Sequence, residues 1–367
     1  MKALVLLPRM EPYAQHWLAA LDALGVTVRV TTAGPVEAAR AALPPSVGVS
    51  ALAPRHRLDL RAVRALAEVA AAFAPDFVFA CSSRLLATAV LAAARARGRW
   101  PILVRRGVPG SMSALNPMDW LTYFNPRVDR IVAISEAICA HYRRHWPYRW
   151  LIPPKRAVSW PLGADYLIDV PRAEQPALRR DGERPAVLFV ANNRPFKGFA
   201  WLLAAWQKLP VEGRPRLVVI GSGYEREQRA AATASPSLAG IEFLGAVRPA
   251  VAHMHEADVL VQPSIRPGEG LGKTMLEAMS RALPVVTSDV TTGPEVVADG
   301  VSGIVVPEND AHALASAITR LCADADLRRR MGEAGRQRLR DRYSVEACAR
   351  RLIKIAEEAI RERDSRT

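Results

Sequence analysis

Short apolar runs alternate with Ala- and Leu-rich helical patterns along nearly the whole chain, and that rhythm breaks once, between residues 153 and 185. A buried strand followed by a helical pattern, repeated, is the unit of a doubly wound parallel sheet. Before the break the spacing predicts strands at residues 3–7, 26–31, 77–80, 102–104 and 130–134. Helices are expected over 14–24 and 60–73, and Ser135 caps another, with Glu136 in its first turn. The break holds Pro153-Pro154, then Pro161-Leu162-Gly163, then a polar run over 171–185, a linker composition. Beyond it the rhythm restarts, with strands at 186–190, 216–220, 241–244, 259–262, 285–287 and 304–306 and helices from Phe199 and Glu225. The expected fold class is α/β, with two doubly wound Rossmann-like domains. The first covers residues 1–172, a linker 173–185, and the second 186–343. A final helix over 344–367 shows an apolar stripe at Val345, Cys348, Leu352, Ala356 and Ile360, which suits packing back toward the first domain. Ligands of such sheets bind beyond the carboxyl ends of the strands, so a cleft between the two domains is the expected site.

The 367 residues suffice for two cores. No charge-free stretch reaches the roughly 18 residues of a membrane span. The first eight residues read as a buried strand rather than a signal peptide. Cys81, Cys139, Cys322 and Cys348 are scattered without paired spacing, which argues against zinc and a disulfide framework and suits a reducing cytoplasm. A net charge of +14 favours anionic partners such as nucleotide phosphates or lipid headgroups, or reflects the Arg- and Ala-rich usage of a GC-rich genome. Nucleic acid is not expected, since no zinc finger, RNP-like aromatic motif or basic zipper is visible.

The most informative stretch is Pro267-Gly268-Glu269-Gly270-Leu271-Gly272-Lys273-Thr274-Met275-Leu276-Glu277. It follows one predicted strand and precedes another, so a glycine-rich turn opens a helix and aims free backbone N–H groups past the strand end. That arrangement favours a phosphate. Carboxylates before the turn and two turns into the helix need a different target, and sugar hydroxyls are the candidate.

Other motifs leave two readings open. Arg194 and Lys197 follow the strand over 186–190 and either reach a diphosphate, Arg as a fork and Lys as a point charge, or sit on a solvated loop. Gly221-Ser222-Gly223 matches only part of a dinucleotide fingerprint and reads as close turn packing. Asp324-Ala325-Asp326 has a spacing that can hold a metal, but an Asp before a helix is expected to cap it; no metal site is predicted. His253 and His255 read as surface helix residues. Between His141 and Trp160 stand five Arg/Lys, five Tyr/Trp and no acid, which suits either an anionic bilayer surface or a packed, proline-broken loop. Arg105-Arg106-Gly107 follows the strand at 102–104 and either holds an anion or is an ordinary turn.

From about Ala186 to Arg342 the sequence resembles the retaining glycosyltransferases of the GT-B fold, family 4. The shared features are Pro195-Phe196-Lys197-Gly198, Val219-Ile220-Gly221-Ser222-Gly223, the Glu-x7-Glu block, Leu283-Pro284-Val285-Val286-Thr287 and Asp299-Gly300-Val301-Ser302-Gly303. The resemblance implies that Lys197 contacts the donor diphosphate and that Glu277 binds the ribose hydroxyls. Gly270, Leu271 and Gly272 would offer N–H groups to phosphate, and Glu269 would serve the donor sugar at the bond that breaks. The family's diphosphate-binding Arg falls on neutral Asn192, with Arg194 and Lys273 as substitutes; a frequent family His is replaced by Arg106, which we take with Glu269 as a catalytic candidate. The implied function is metal-independent, retaining transfer of a hexose-type sugar from a nucleoside-diphosphate sugar to a hydroxyl acceptor. That acceptor would be a lipid-linked or cell-surface saccharide and the enzyme cytoplasmic, with contact to an anionic membrane. The alternative is a non-catalytic nucleotide-sugar-binding partner of a transferase.

Overall fold

The computed structural model describes residues 1–108, 112–173, 184–225, 241–266, 270–290 and 292–365. They form two compact units, Met1–Gly163 with Val345–Thr367, and Ala164–Ser344. The segment over 164–172, assigned by its sequence to the first domain, thus packs with the second unit. Arg281 fixes it there, its guanidinium donating to the carbonyls of Ile168 and Val170 and, through Nε, to that of Val251.

The first unit is built on strands β1 (Lys2–Leu7), β2 (Thr27–Thr32), β3 (Gly48–Ala51), β4 (Phe77–Ala80), β5 (Ile102–Arg106), β6 (Val128–Ala133) and β7 (Ala157–Ser159). They pair in parallel in the order β3-β2-β1-β4-β5-β6-β7. β1 and β4 are buried on both faces, which is why they read as apolar runs, and β6 is buried throughout although it carries Asp129 and Arg130. β3 and β7 close the two edges, are short and half-exposed, and carry no such signal; the sequence reading missed both. The helices used below are α1 (Pro12–Ala23), α2 (Leu60–Phe73), α3 (Ser83–Arg95) and α4 (Glu136–Arg144). Asp59, Ser82 and Ser135 each cap the helix that follows with a side-chain oxygen.

The core of this unit centres on an edge-to-face trio, Trp17, Phe79 and Trp160, with centroids 5.4–5.8 Å apart. The Trp160 indole N–H donates to the Cys348 carbonyl at 2.7 Å. That bond joins the core to the terminal helix over Val345–Asp364, whose Cys348, Ala349, Leu352, Ile355, Ala356 and Ala359 are buried. Two further ties are the Arg130–Glu362 pair at 2.8 Å and Arg363–Asp129 at 3.2 Å.

The second unit is a six-stranded parallel sheet in the order β10-β9-β8-β11-β12-β13. Its strands are β8 (Ala186–Val190), β9 (Arg216–Ile220), β10 (Ile241–Gly245), β11 (Val259–Gln262), β12 (Val285–Ser288) and β13 (Gly303–Val306), close to the expected bounds. α5 (Phe199–Trp206), α6 (Lys273–Ser280) and α7 (Ala325–Arg342) are the helices that bear on function. The helix expected from Glu225 falls largely outside the described residues. Asp324 accepts from the Leu327 N–H at 2.8 Å and caps α7. His253 and His255 differ from expectation: His253 links the 3₁₀ turns Ala250–Ala252 and Met254–Glu256, His255 lies in the second, and both are largely buried beside the Glu256 carboxylate. No helix among the described residues is long and apolar enough to cross a membrane.

Candidate functional site

β8 and β11 are hydrogen-bonded neighbours, and their carboxyl ends carry every described candidate of the second unit. Asn192, Arg194 and Lys197 leave β8; Gly270, Leu271, Gly272, Lys273 and Glu277 follow β11. Glu269 lies outside the described residues.

The two exits are packed backbone to backbone. Gly198, at φ +74°, ends the 3₁₀ turn Pro195–Lys197 and starts α5. A Cβ there would stand 1.7 Å from the Pro263 carbonyl oxygen, so only glycine fits. The Ile265 N–H donates to the Phe196 carbonyl at 2.9 Å, which holds the Lys197 turn against the β11 exit. Lys197 is half-buried, its ammonium 5.6 Å from the centre of the Phe196 ring. Arg194 is exposed.

Asn192 has a structural task. Its Oδ1 accepts from both the N–H and the hydroxyl of Ser222, at 3.2 and 3.0 Å, and so pins the β9 turn to the β8 exit. Asn193 repeats the link, donating from Nδ2 to the Gly223 carbonyl at 2.7 Å. An Arg at 192 has no acceptor atom and could not make the Ser222 bonds. The neutral residue at this position is therefore accounted for by turn packing.

α6 opens at Gly272, φ +67°, with no side-chain cap. The Met275 N–H turns back to the Gly272 carbonyl at 2.9 Å, and the N–H groups ahead of it have no carbonyl one turn back within the helix and point beyond its N-terminus. Leu271 is buried and can offer only its backbone. Thr292, on the β12 exit, stands beside Gly272. One turn further along α6, Glu277 is 16% exposed at its side chain, and the Lys273 ammonium lies 3.7 Å away. Burial pushes the Glu277 carboxyl above its usual range, with Lys273 opposing. Tyr166 joins from the 3₁₀ turn Asp165–Asp169; burial and then the Glu277 charge push its phenol to about 12. Sequence reading missed Tyr166 because it sits in the proline-rich break, where nothing local marks a binding residue. One strand edge thus brings together backbone donors and cations for a diphosphate and a carboxylate able to hold a diol.

Arg106, the other catalytic candidate, is in the first unit and only 7% exposed. Its guanidinium donates to Tyr142 Oη at 3.1 Å and Tyr123 Oη at 3.0 Å and stacks 4.7 Å over the Tyr123 ring. Burial pushes the Tyr142 phenol to about 12, with Arg106 opposing. Tyr142 also reaches the Val108 carbonyl at 3.4 Å. This geometry supports bracing of the turn after β5 rather than contact with a substrate. Its neighbour Arg105 is engaged with the Tyr13 hydroxyl.

Comparison with known proteins agrees with the architecture. A family model described as Glycosyl transferases group 1 matches residues 184–324, and one described as Glycosyltransferase Family 4 matches residues 10–166. The phosphatidyl-myo-inositol mannosyltransferase of Mycobacterium leprae is 35% identical over 175 residues, 47% of this chain and 46% of that protein. The chain spans about half the length of the curated relatives it matches. Among solved structures, a glycosyltransferase from Rickettsia africae superimposes with a TM-score of 0.76 at 17% identity, covering 98% of both chains. Anabaena HepE in complex with UDP gives 0.73 at 17% identity over 98% of this chain and 100% of that one. Two doubly wound parallel units with this strand order define the GT-B glycosyltransferase fold. Within it, the chain belongs to glycosyltransferase family 4.

Proposed function

We propose that this chain transfers a hexose-type sugar from a nucleoside-diphosphate sugar to a hydroxyl acceptor with retention of configuration. The supporting observation is the β8/β11 edge, where Lys197, the N-terminus of α6 and Glu277 stand on neighbouring exits of one sheet. Lys197, with Arg194 and Lys273, neutralises the diphosphate, and the α6 N–H groups bind its oxygens. Glu277 accepts the ribose hydroxyls. Glu269 binds the donor sugar and stabilises positive charge at the anomeric carbon, while the departing diphosphate takes the acceptor proton. Catalysis is then positioning and electrostatics, with protein cations in the part a metal would otherwise play. UDP bound to HepE, and GDP-mannose in the name of a Mycobacterium tuberculosis mannosyltransferase 30% identical over 190 residues, make uridine and guanosine donors the first to try. In a panel of nucleotide sugars, one at 100 times its dissociation constant should stabilise the protein by about 2.7 kcal/mol in a thermal melt. Stabilisation by none of them would remove the donor site; stabilisation without release of nucleoside diphosphate in the presence of acceptors would favour a non-catalytic binding partner.

The acceptor we propose is lipid-linked, with the protein resting on an anionic membrane at the cytoplasmic face. Trp146 and Trp150, 74% and 72% exposed, are interleaved with Arg143, Arg144, Arg149 and Lys155. Tyr148 donates to the Met112 carbonyl at 2.6 Å and brings the segment bearing Leu115, 93% exposed, close to this stretch. Each cation near such a surface contributes about 1 kcal/mol. Vesicles containing phosphatidylglycerol should retain the protein at low salt, and a Trp146→Ser/Trp150→Ser variant should be released. Equal retention of both proteins would sink the membrane contact.

A further inference from the structure

The first unit holds a cavity of about 560 Å³ whose chemistry differs from that of the α6 turn. Its lining comes from the carboxyl ends of four neighbouring strands: Pro8 after β1, Ala33 after β2, Pro54 to Arg57 after β3, and Ser82 to Leu85 after β4. This is the edge of a parallel sheet where ligands bind, and the volume is that of a small-molecule site. Three arginines, Arg55, Arg57 and Arg84, line it together with His56, and no carboxylate does among the described residues. None of the three arginines has an ion-pair partner among the described residues.

Two of the arginines are held in place across the cavity. Arg57 donates from Nη2 to the Ser83 hydroxyl at 3.3 Å, and Arg84 from Nη1 to the Pro54 carbonyl at 3.4 Å. Both bonds go to neutral oxygens and leave the positive charge uncompensated. The nearest carboxylate in sequence, Asp59, is turned to the backbone instead. It accepts from the N–H groups of Arg55, Arg61 and Ala62 and caps α2. The Arg55 guanidinium has no hydrogen-bond partner in the described residues. α3, thirteen residues long, opens on the same cavity at Ser82 and Ser83 and adds the positive end of its dipole.

We propose that this cavity binds a phosphate group, monoester or diester. Three guanidiniums around one hollow exceed what a single carboxylate would neutralise, and their planar forks match the oxygens of a tetrahedral phosphate. On the glycosyltransferase reading, on which this clause rests, the phosphate belongs to the acceptor, since every described residue lining the cavity lies in the unit that does not carry the donor residues. The acceptor is then a phosphorylated polyol or saccharide, either free or as the headgroup of a lipid.

The test is isothermal titration of the full chain at low salt with inorganic phosphate and then glycerol 3-phosphate. We expect one saturable site, and Arg55→Gln should weaken it roughly tenfold. That variant removes a guanidinium bonded to nothing among the described residues, so the fold and the melt should be unchanged. Arg57→Gln/Arg84→Gln should weaken binding further. Stabilisation by the nucleotide sugar should be the same in all three proteins. Non-saturable binding, or equal affinity in the parent and both variants, overturns the proposal and leaves the arginines as solvated surface charge. Failure of every nucleotide sugar to bind, with phosphate binding intact and sensitive to Arg55→Gln, would remove the transferase reading and keep the cavity. Competition by phosphatidylglycerol vesicles, but not phosphatidylcholine vesicles, against glycerol 3-phosphate assigns the phosphate to a lipid; competition by neither assigns it to a free ester.

Discussion

Replacing Lys197 by alanine should lower kcat/KM with the preferred donor by a factor on the order of 10²–10³, with little change in stability. The turn that carries it does not depend on its side chain. Gly198 fits beneath the Pro263 carbonyl, the Phe196 carbonyl accepts from Ile265, and the Lys197 N–H donates to the Arg194 carbonyl at 2.9 Å. Removing the side chain leaves those backbone ties in place, so the expected cost in stability is within about 1 kcal/mol. What is lost is a positive charge where the leaving diphosphate gains negative charge. Asn192 sharpens the expectation, because the family's other cation is replaced by a residue bonded to Ser222. Release of nucleoside diphosphate measures the first effect and a thermal melt the second. Lys197→Arg should recover part of the rate. If Lys197→Ala stays within about threefold of the parent, the diphosphate is held by Arg194 or Lys273 instead.

The strands of the second sheet were legible because their information is local. β8, β9 and β11 are apolar runs of four or five residues bounded by glycine, proline or polar turns, and their predicted bounds coincide with those observed. β3 and β7 were not legible, since an edge strand buries only part of itself and needs no continuous apolar run. The opening of α6 at Gly272 was legible through glycine spacing. The role of Asn192 could not be read, because its partner Ser222 is thirty residues away and a side-chain bond of that span leaves no periodic trace. Arg106 shows the same limit: as a sequence it is a cation after a strand, and only the fold brings Tyr123 and Tyr142 around it. The arginine-lined cavity was invisible for a related reason. It is assembled from four strand exits, each contributing one to four unremarkable residues.

Glu277→Gln should weaken nucleotide binding by a factor on the order of 10², and it should also remove a pH dependence that the parent shows. Two ribose hydroxyls donating to one ionised carboxylate are charge-assisted bonds worth about 1.5–3 kcal/mol each, and an amide keeps only part of that. Burial holds the carboxyl above the usual value of 4.5, with Lys273 drawing it back. Binding through hydroxyl donors selects the ionised form. Parent affinity should therefore be flat at neutral pH and fall, by at most about tenfold per unit, as pH drops below the raised pKa. Stability should move the other way. An acid whose folded pKa exceeds its unfolded pKa destabilises the fold when ionised; the penalty is full above the folded value and disappears as pH falls below 4.5. The Lys273 contact, at 3.7 Å with the lysine 59% exposed, is too solvated to reverse that sign. Glu277→Gln should thus be at least as stable as the parent at neutral pH while binding nucleotide worse, a divergence that a merely structural glutamate would not produce. Titration of the nucleoside diphosphate by calorimetry between about pH 5 and pH 8, with melts at the same points, measures both. A variant that keeps the parent's acid-side loss of affinity would place the ribose on another acceptor.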